Sequence, residues 1–132
     1  MNRRNFLKTS MAVAAATTIS GAGKAMACSS LTGIVYSSSN QGKWQGKAGS
    51  HAPQVKVSGS SVEVTTKHGM AQKHYIVRQT LIGADGTVLG EKTFTPADKP
   101  TATFTLPAGY KGHITATSFC NLHDLWITEA KV

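Results

Sequence analysis

The 132-residue sequence is short of cysteine, with two, and of acid, with six, and beyond Arg3-Arg4 it has no run of basic residues. Scattered single lysines argue against a nucleic-acid surface, which wants a dense basic stripe. No apolar stretch approaches the ~18 residues that a membrane-spanning helix needs. Helical periodicity is absent as well, because apolar residues recur with period two rather than 3.6. No internal repeat or linker divides the chain, so one compact domain is expected.

The N-terminus "MNRRNFLKTSMAVAAATTISGAGKAMA" is a separate matter. Arg3-Arg4 followed by Asn5-Phe6-Leu7-Lys8 is a twin-arginine export signature, and the weakly apolar run Met11 to Gly23 is too short and polar to span a membrane. Ala25-Met26-Ala27 is an A-x-A cleavage site. The expected division is a signal peptide, 1–27, and a mature periplasmic domain, 28–132. Four of the fourteen basic residues leave with the signal and all six acidic ones stay, so ten against six makes the mature charge +4 rather than +8. A modest positive field suits a small anion. The twin-arginine route carries folded proteins, which raises the expectation of a bound metal or other cofactor. "AMAC" lacks the leucine expected three residues before a lipoprotein cysteine, so Cys28 is expected in a soluble product with no stable membrane insertion.

Strand signals follow one another along the mature chain. "TGIVYSSS" (32–39), "APQVKVS" (52–58), "SVEVTT" (61–66), "HYIVRQTLIG" (74–83), "TVLGEKTF" (87–94), "TATFTLP" (101–107), "GHITATSF" (112–119) and "DLWITEAKV" (124–132) are β-branched or alternating. "ADG" (84–86) is a tight hairpin turn, and Pro107-Ala108-Gly109 breaks the strand before it. "NQGKWQGKAGSH" (40–51) reads as a loop too polar for the core. About seven short strands without a helix predict an all-β fold, an antiparallel β-sandwich.

The chemistry-bearing residues are His51, His68, His74, His113, His123, Cys28 and Cys120. Cys120 and His123 share the turn "CNLH", whose side chains can converge on one ion. A disulfide with Cys28 is the alternative in an exported protein, though a bridge to the first mature residue tethers little. A Cys–His nucleophilic pair lacks a third, orienting residue. Four imidazoles and a thiolate exceed a closed tetrahedral zinc site. A blue-copper site needs a methionine soon after the second histidine, and "DLWITEAKV" has none. A square pyramid of four His and one Cys would leave one axial position open, which suits iron meeting a small substrate.

"HGMAQKHYIVRQTLIG" followed by "SFCNLHDLW" resembles the iron domain of the superoxide reductases, the desulfoferrodoxin and neelaredoxin family, from about Lys47 to Trp126. The resemblance implies a seven-stranded immunoglobulin-like sandwich holding one Fe(2+)/Fe(3+) per chain. It implies His51, His68, His74 and His123 as equatorial nitrogen ligands, the last through Nδ1 and the others through Nε2, and Cys120 as the axial thiolate. His113 matches no ligand position. The four-cysteine rubredoxin-like domain of two-iron members is absent. The activity implied is one-electron reduction of superoxide to hydrogen peroxide, with an external electron donor that the sequence does not name. Whether the protein forms a homo-oligomer is left open.

Two residues depart from the family pattern. Glu-Lys usually precedes the first histidine, and Gly49-Ser50 stands there instead. Lys47 is the nearest lysine, expected to steer the anion by reaching over the iron, since three intervening residues span about 10 Å when extended. Asp124 replaces a usual glycine and is expected to add negative charge near the iron and tune its potential. Loss of the Glu-Lys pair favours the alternative function: an iron-binding redox or sensor module, or a sulfur-metabolism partner, without turnover.

Overall fold

The computed structural model describes residues 33–132; the export signal, its cleavage point and Cys28 lie outside them. Alternation becomes pairing directly. Strand β3 (Ser61–Thr65) buries Val62 and Val64 and exposes Glu63, and its antiparallel partner β6 (Thr101–Thr105) sets Phe104 and Ala102 opposite the two valines. Strand β2 (Gln54–Ser58) completes this sheet in the order β2-β3-β6.

The second sheet holds β4 (Ile76–Gly83), β5 (Val88–Thr93), β7 (His113–Cys120) and β8 (Asp124–Lys131), with a two-residue strand β1 (Val35–Tyr36) at one edge, in the order β1-β8-β7-β4-β5. Ile76, Leu81, Ile114 and Ala116 from this sheet share one core with Val62, Val64 and Phe104 from the other. At Gly90 the sheets approach so closely that a Cβ would lie 2.5 Å from the Phe104 ring. The connections β1–β2, β3–β4, β5–β6 and β6–β7 cross between sheets, as in immunoglobulin-type sandwiches.

The all-β sandwich expected from alternation is present, and its strands of five residues or more all pair antiparallel. The exception is β1, which runs parallel to β8 with Tyr36 opposite Trp126. A two-residue strand is too short for periodicity to reveal its direction. The segment 40–51 is also more ordered than its polarity suggests. It folds into a 3₁₀ turn (Gly42–Trp44) and a one-turn helix α1 (Ala48–His51), braced by Gln41 Oε1, which accepts from the amides of Gly46 (2.9 Å) and Ala48 (3.2 Å). Trp44 and Ala48 pack on a second small core of Tyr36, Ala52 and Trp126. That core supports the end of the sandwich where the histidines gather.

Candidate metal centre

Four separate pieces of chain deliver the five side chains. His51 closes α1 and is 2% exposed; His68 follows β3; His74 precedes β4; Cys120 ends β7 and His123 lies in the turn before β8. Their donor atoms all lie within 4.8 Å of one another. His51 Nε2 is 3.0 Å from His123 Nδ1, His123 Nδ1 is 3.0 Å from His74 Nε2, and His74 Nε2 is 3.0 Å from His68 Nε2. The His51 and His68 rings, edge to face with centroids 4.6 Å apart, close the circuit. His51 and His74 face each other across it at 5.9 Å with planes 27° apart. Cys120 Sγ stands 3.6 Å from His123 Nδ1 and 3.9 Å from His68 Nε2.

This set fits a mononuclear metal ion. Two nitrogens each about 2.1 Å from a shared centre and at right angles to it lie about 3.0 Å apart. Three consecutive pairs have that spacing, the pattern of a four-nitrogen ring rather than a tetrahedron. Sulfur, with its longer metal bond, belongs farther from the nitrogens than they are from each other, as Cys120 is. Among the described residues no further His, Cys, Asp or Glu joins the group.

Protonation states favour ligation too. Burial pushes His51 down to about 4, against the opposing bond to the Lys47 carbonyl. Burial, then the neighbouring His74, lowers His68; burial, then His74 and Lys47, lowers His123. These imidazoles are therefore neutral at pH 7, as metal ligands must be. With Nε2 turned inward, His51 Nδ1–H can donate to the Lys47 carbonyl (3.1 Å), and Ser50 Oγ lies 2.8 Å from the same nitrogen. Such outer partners fix the tautomer and the ring orientation.

Several supporting residues have bracing roles that the sequence alone does not show. Asn121 Oδ1 accepts from Tyr75 N and its Nδ2 donates to the Lys73 carbonyl, both at 3.0 Å, so one side chain grips the backbone on either side of His74. Behind the site, buried Gln79 donates to Thr66 Oγ1 (2.9 Å), which donates to Ser118 Oγ (2.8 Å), linking residues two before His68 and two before Cys120. Trp126 Nε1 donates to the His123 carbonyl at 2.8 Å. Serine, threonine and glutamine in strands are unremarkable in sequence; their pairing emerges only when the sheets meet.

Other expected residues fall outside the donor ring. His113 is exposed at the start of β7, paired in register with Lys131. Lys47 is exposed, and its carbonyl accepts from the amides of Ser50 (3.1 Å) and His51 (3.0 Å). The extended reach expected for residues 47–51 is therefore replaced by one helical turn, which keeps Lys47 beside His51 and within electrostatic reach of His123. Asp124 does stand beside the site, but its carboxylate is matched by Lys43 Nζ at 3.0 Å, which offsets the added negative charge.

Fold and site together define a class: a small β-sandwich with four imidazoles and a thiolate gathered at one end. The chain belongs to the desulfoferrodoxin family, which it matches over residues 43–129, and residues 1–20 match the twin-arginine translocation (TAT) pathway signal sequence. It is 33% identical to desulfoferrodoxin of Nitratidesulfovibrio vulgaris over 93 residues, 68% of this chain and 70% of that one. Among solved structures it is similar to superoxide reductase (neelaredoxin) from Ignicoccus hospitalis, with 28% identity and a TM-score of 0.62 over 74% of this chain and 93% of that one. It is also similar to superoxide reductase (1Fe-SOR) from Giardia intestinalis, with 27% identity and a TM-score of 0.58 over 63% of this chain and 98% of that one. No helix among the described residues is long and apolar enough to cross a membrane. The chain carries an export signal.

Proposed function

We propose that this chain is an exported superoxide reductase, with one iron per chain held by His51, His68, His74, His123 and Cys120. The observation that carries the reading is the ring of imidazole nitrogens at 3.0 Å spacings with a buried thiol beside it. One-electron chemistry would come from the bound iron: superoxide takes one electron and two protons and leaves as hydrogen peroxide, and an external donor restores the electron.

The chain's own residues set up that reaction. Burial lowers the proton affinity of His51, His68 and His123, which favours their neutral form. Four neutral imidazole ligands and one thiolate would leave a ferrous site with a net charge of +1, which would attract an anion. Lys47, exposed one turn before His51, adds a second positive charge to the approach. The twin-arginine signal supports export to the periplasm, and the A-x-A pattern Ala25-Met26-Ala27 is the reason for placing the mature domain at 28–132.

Gly49 and Ser50 stand where the family pattern has Glu-Lys, and Ser50 is occupied with His51 Nδ1, which favours the second reading, an iron-binding redox or sensor module without turnover. Iron analysis of the purified protein, followed by mixing its ferrous form with generated superoxide, separates the two. Turnover gives rapid oxidation with one peroxide released per iron oxidised. Iron binding without peroxide leaves the redox module, and absence of iron removes both.

A further inference from the structure

Asp124 is the only non-glycine with positive φ among the described residues, at +62°, and it directly follows His123. A left-handed backbone is strained for any residue with a Cβ and persists where surrounding contacts hold it. Here the contacts are specific. Asp124 Oδ2 accepts from Trp44 Nε1 at 2.9 Å, across 80 residues of sequence, and pairs with Lys43 Nζ at 3.0 Å. Lys43 Nζ in turn lies 4.9 Å from the centre of the Trp44 ring. Trp44 meets the His123 imidazole edge to face, with centroids 4.6 Å apart and planes at 86°.

We infer that Asp124 is a positioning residue, whose carboxylate draws Trp44 against His123 and so sets the ring plane of that histidine. The same bond fastens the 40–51 segment, which carries His51 and Lys47, to the turn that carries Cys120 and His123. A carboxylate suits both demands: it accepts from the indole N–H, and aspartate is among the side chains that tolerate the left-handed region. The inference rests on reading the five side chains as metal donors, and the clamp itself is visible without metal.

The alternative is that Asp124 only occupies a turn, and glycine distinguishes the two. Asp124→Gly relieves the backbone strain and deletes the clamp; Asp124→Asn keeps an acceptor for the indole and loses the exposed ion pair, which contributes little. Trp44→Phe keeps an aromatic edge and removes the donor. In the metal-free protein, the Trp44 indole N–H should be protected from hydrogen exchange in wild type and Asp124→Asn, and unprotected in Asp124→Gly, where the His123 ring resonances also shift.

With cobalt(II) as probe, Asp124→Gly and Trp44→Phe should change the ligand-field bands and release the ion to a chelator about tenfold faster. Asp124→Asn should restore both properties. Unchanged indole protection and unchanged cobalt spectra in Asp124→Gly would overturn the inference. If wild type takes up no cobalt, the metal reading falls, and the exchange measurement alone decides the clamp.

Discussion

His51 Nε2 lies 3.0 Å from His123 Nδ1, although 72 residues separate them and only His51 is fully buried. Two imidazoles this close cannot both be charged, and burial has already lowered each. That burial makes the metal-free protein sensitive to acid.

The sign follows from His51. Its proton affinity falls from 6.5 in the unfolded chain to about 4 in the folded one, so between those values the unfolded state binds more protons. Stability from this group is complete above pH 6.5 and is lost as pH falls toward 4; His68 and His123, also lowered, add to the same trend. Denaturant midpoints of the metal-free protein should therefore be lower at pH 5 than at pH 7. Bound metal competes with protons for the same nitrogens and should raise both midpoints, more at pH 7. Equal midpoints at the two pH values without metal would contradict the account.

Cys120 is fully buried at the end of β7, so its sulfur has no role at the surface. Cys120→Ser should abolish the sulfur-to-iron charge-transfer absorption of the oxidised protein while the fold survives, since the change is nearly isosteric. Persistence of that band in the variant would show that the thiol is not a ligand.

Much of this was legible in sequence, for a physical reason. Period-two alternation in "SVEVTT" and "TATFTLP" follows from one face of each strand being buried, and the structure pairs those faces. The "CNLH" turn announced itself because two potential donors three residues apart can meet locally. Trp44 sits in a polar stretch of sequence, and nothing near it shows that its partners are Asp124 and His123. The same holds for Asn121, whose bonds reach Lys73 and Tyr75 across the sheet. Local chemistry is readable one residue at a time, whereas long-range bracing is not.

Asn121 offers a direct measure of that bracing. Asn121→Ala removes both bonds to the backbone around His74 and should cost about 1–2 kcal/mol of stability, read from a urea melt. Asn121→Asp keeps the acceptor for Tyr75 N but sets an oxygen against the Lys73 carbonyl, so it should be no better than alanine. A fully stable aspartate variant would remove Asn121 from the set of bracing residues.

The export signal can be tested apart from the metal. Changing Arg3 and Arg4 together to Lys preserves charge but alters the pair that the translocation signature requires. Precursor should then be retained in the cytoplasm, as judged by fractionation and the size of the protein. Unaltered export with cleavage would mean that another route recognises this N-terminus.

Lys47 gives the sharpest test of substrate steering. Lys43 is committed to Asp124, whereas Lys47 is exposed, its amide donating to the Trp44 carbonyl and its own carbonyl accepting from Ser50 and His51. Burying the backbone of this turn in hydrogen bonds fixes where the lysine starts and leaves its ammonium free to meet an approaching anion. Exposed charges act over about 10 Å at 0.1 M salt, so the effect belongs in the association rate. Lys47→Ala should slow association of superoxide with the ferrous protein several-fold at low salt. Added salt should depress the wild-type rate more than the mutant's, and the two should converge at high ionic strength. Identical rates with identical salt slopes would remove Lys47 from the mechanism and leave the charge of the metal centre itself as the attraction for the anion.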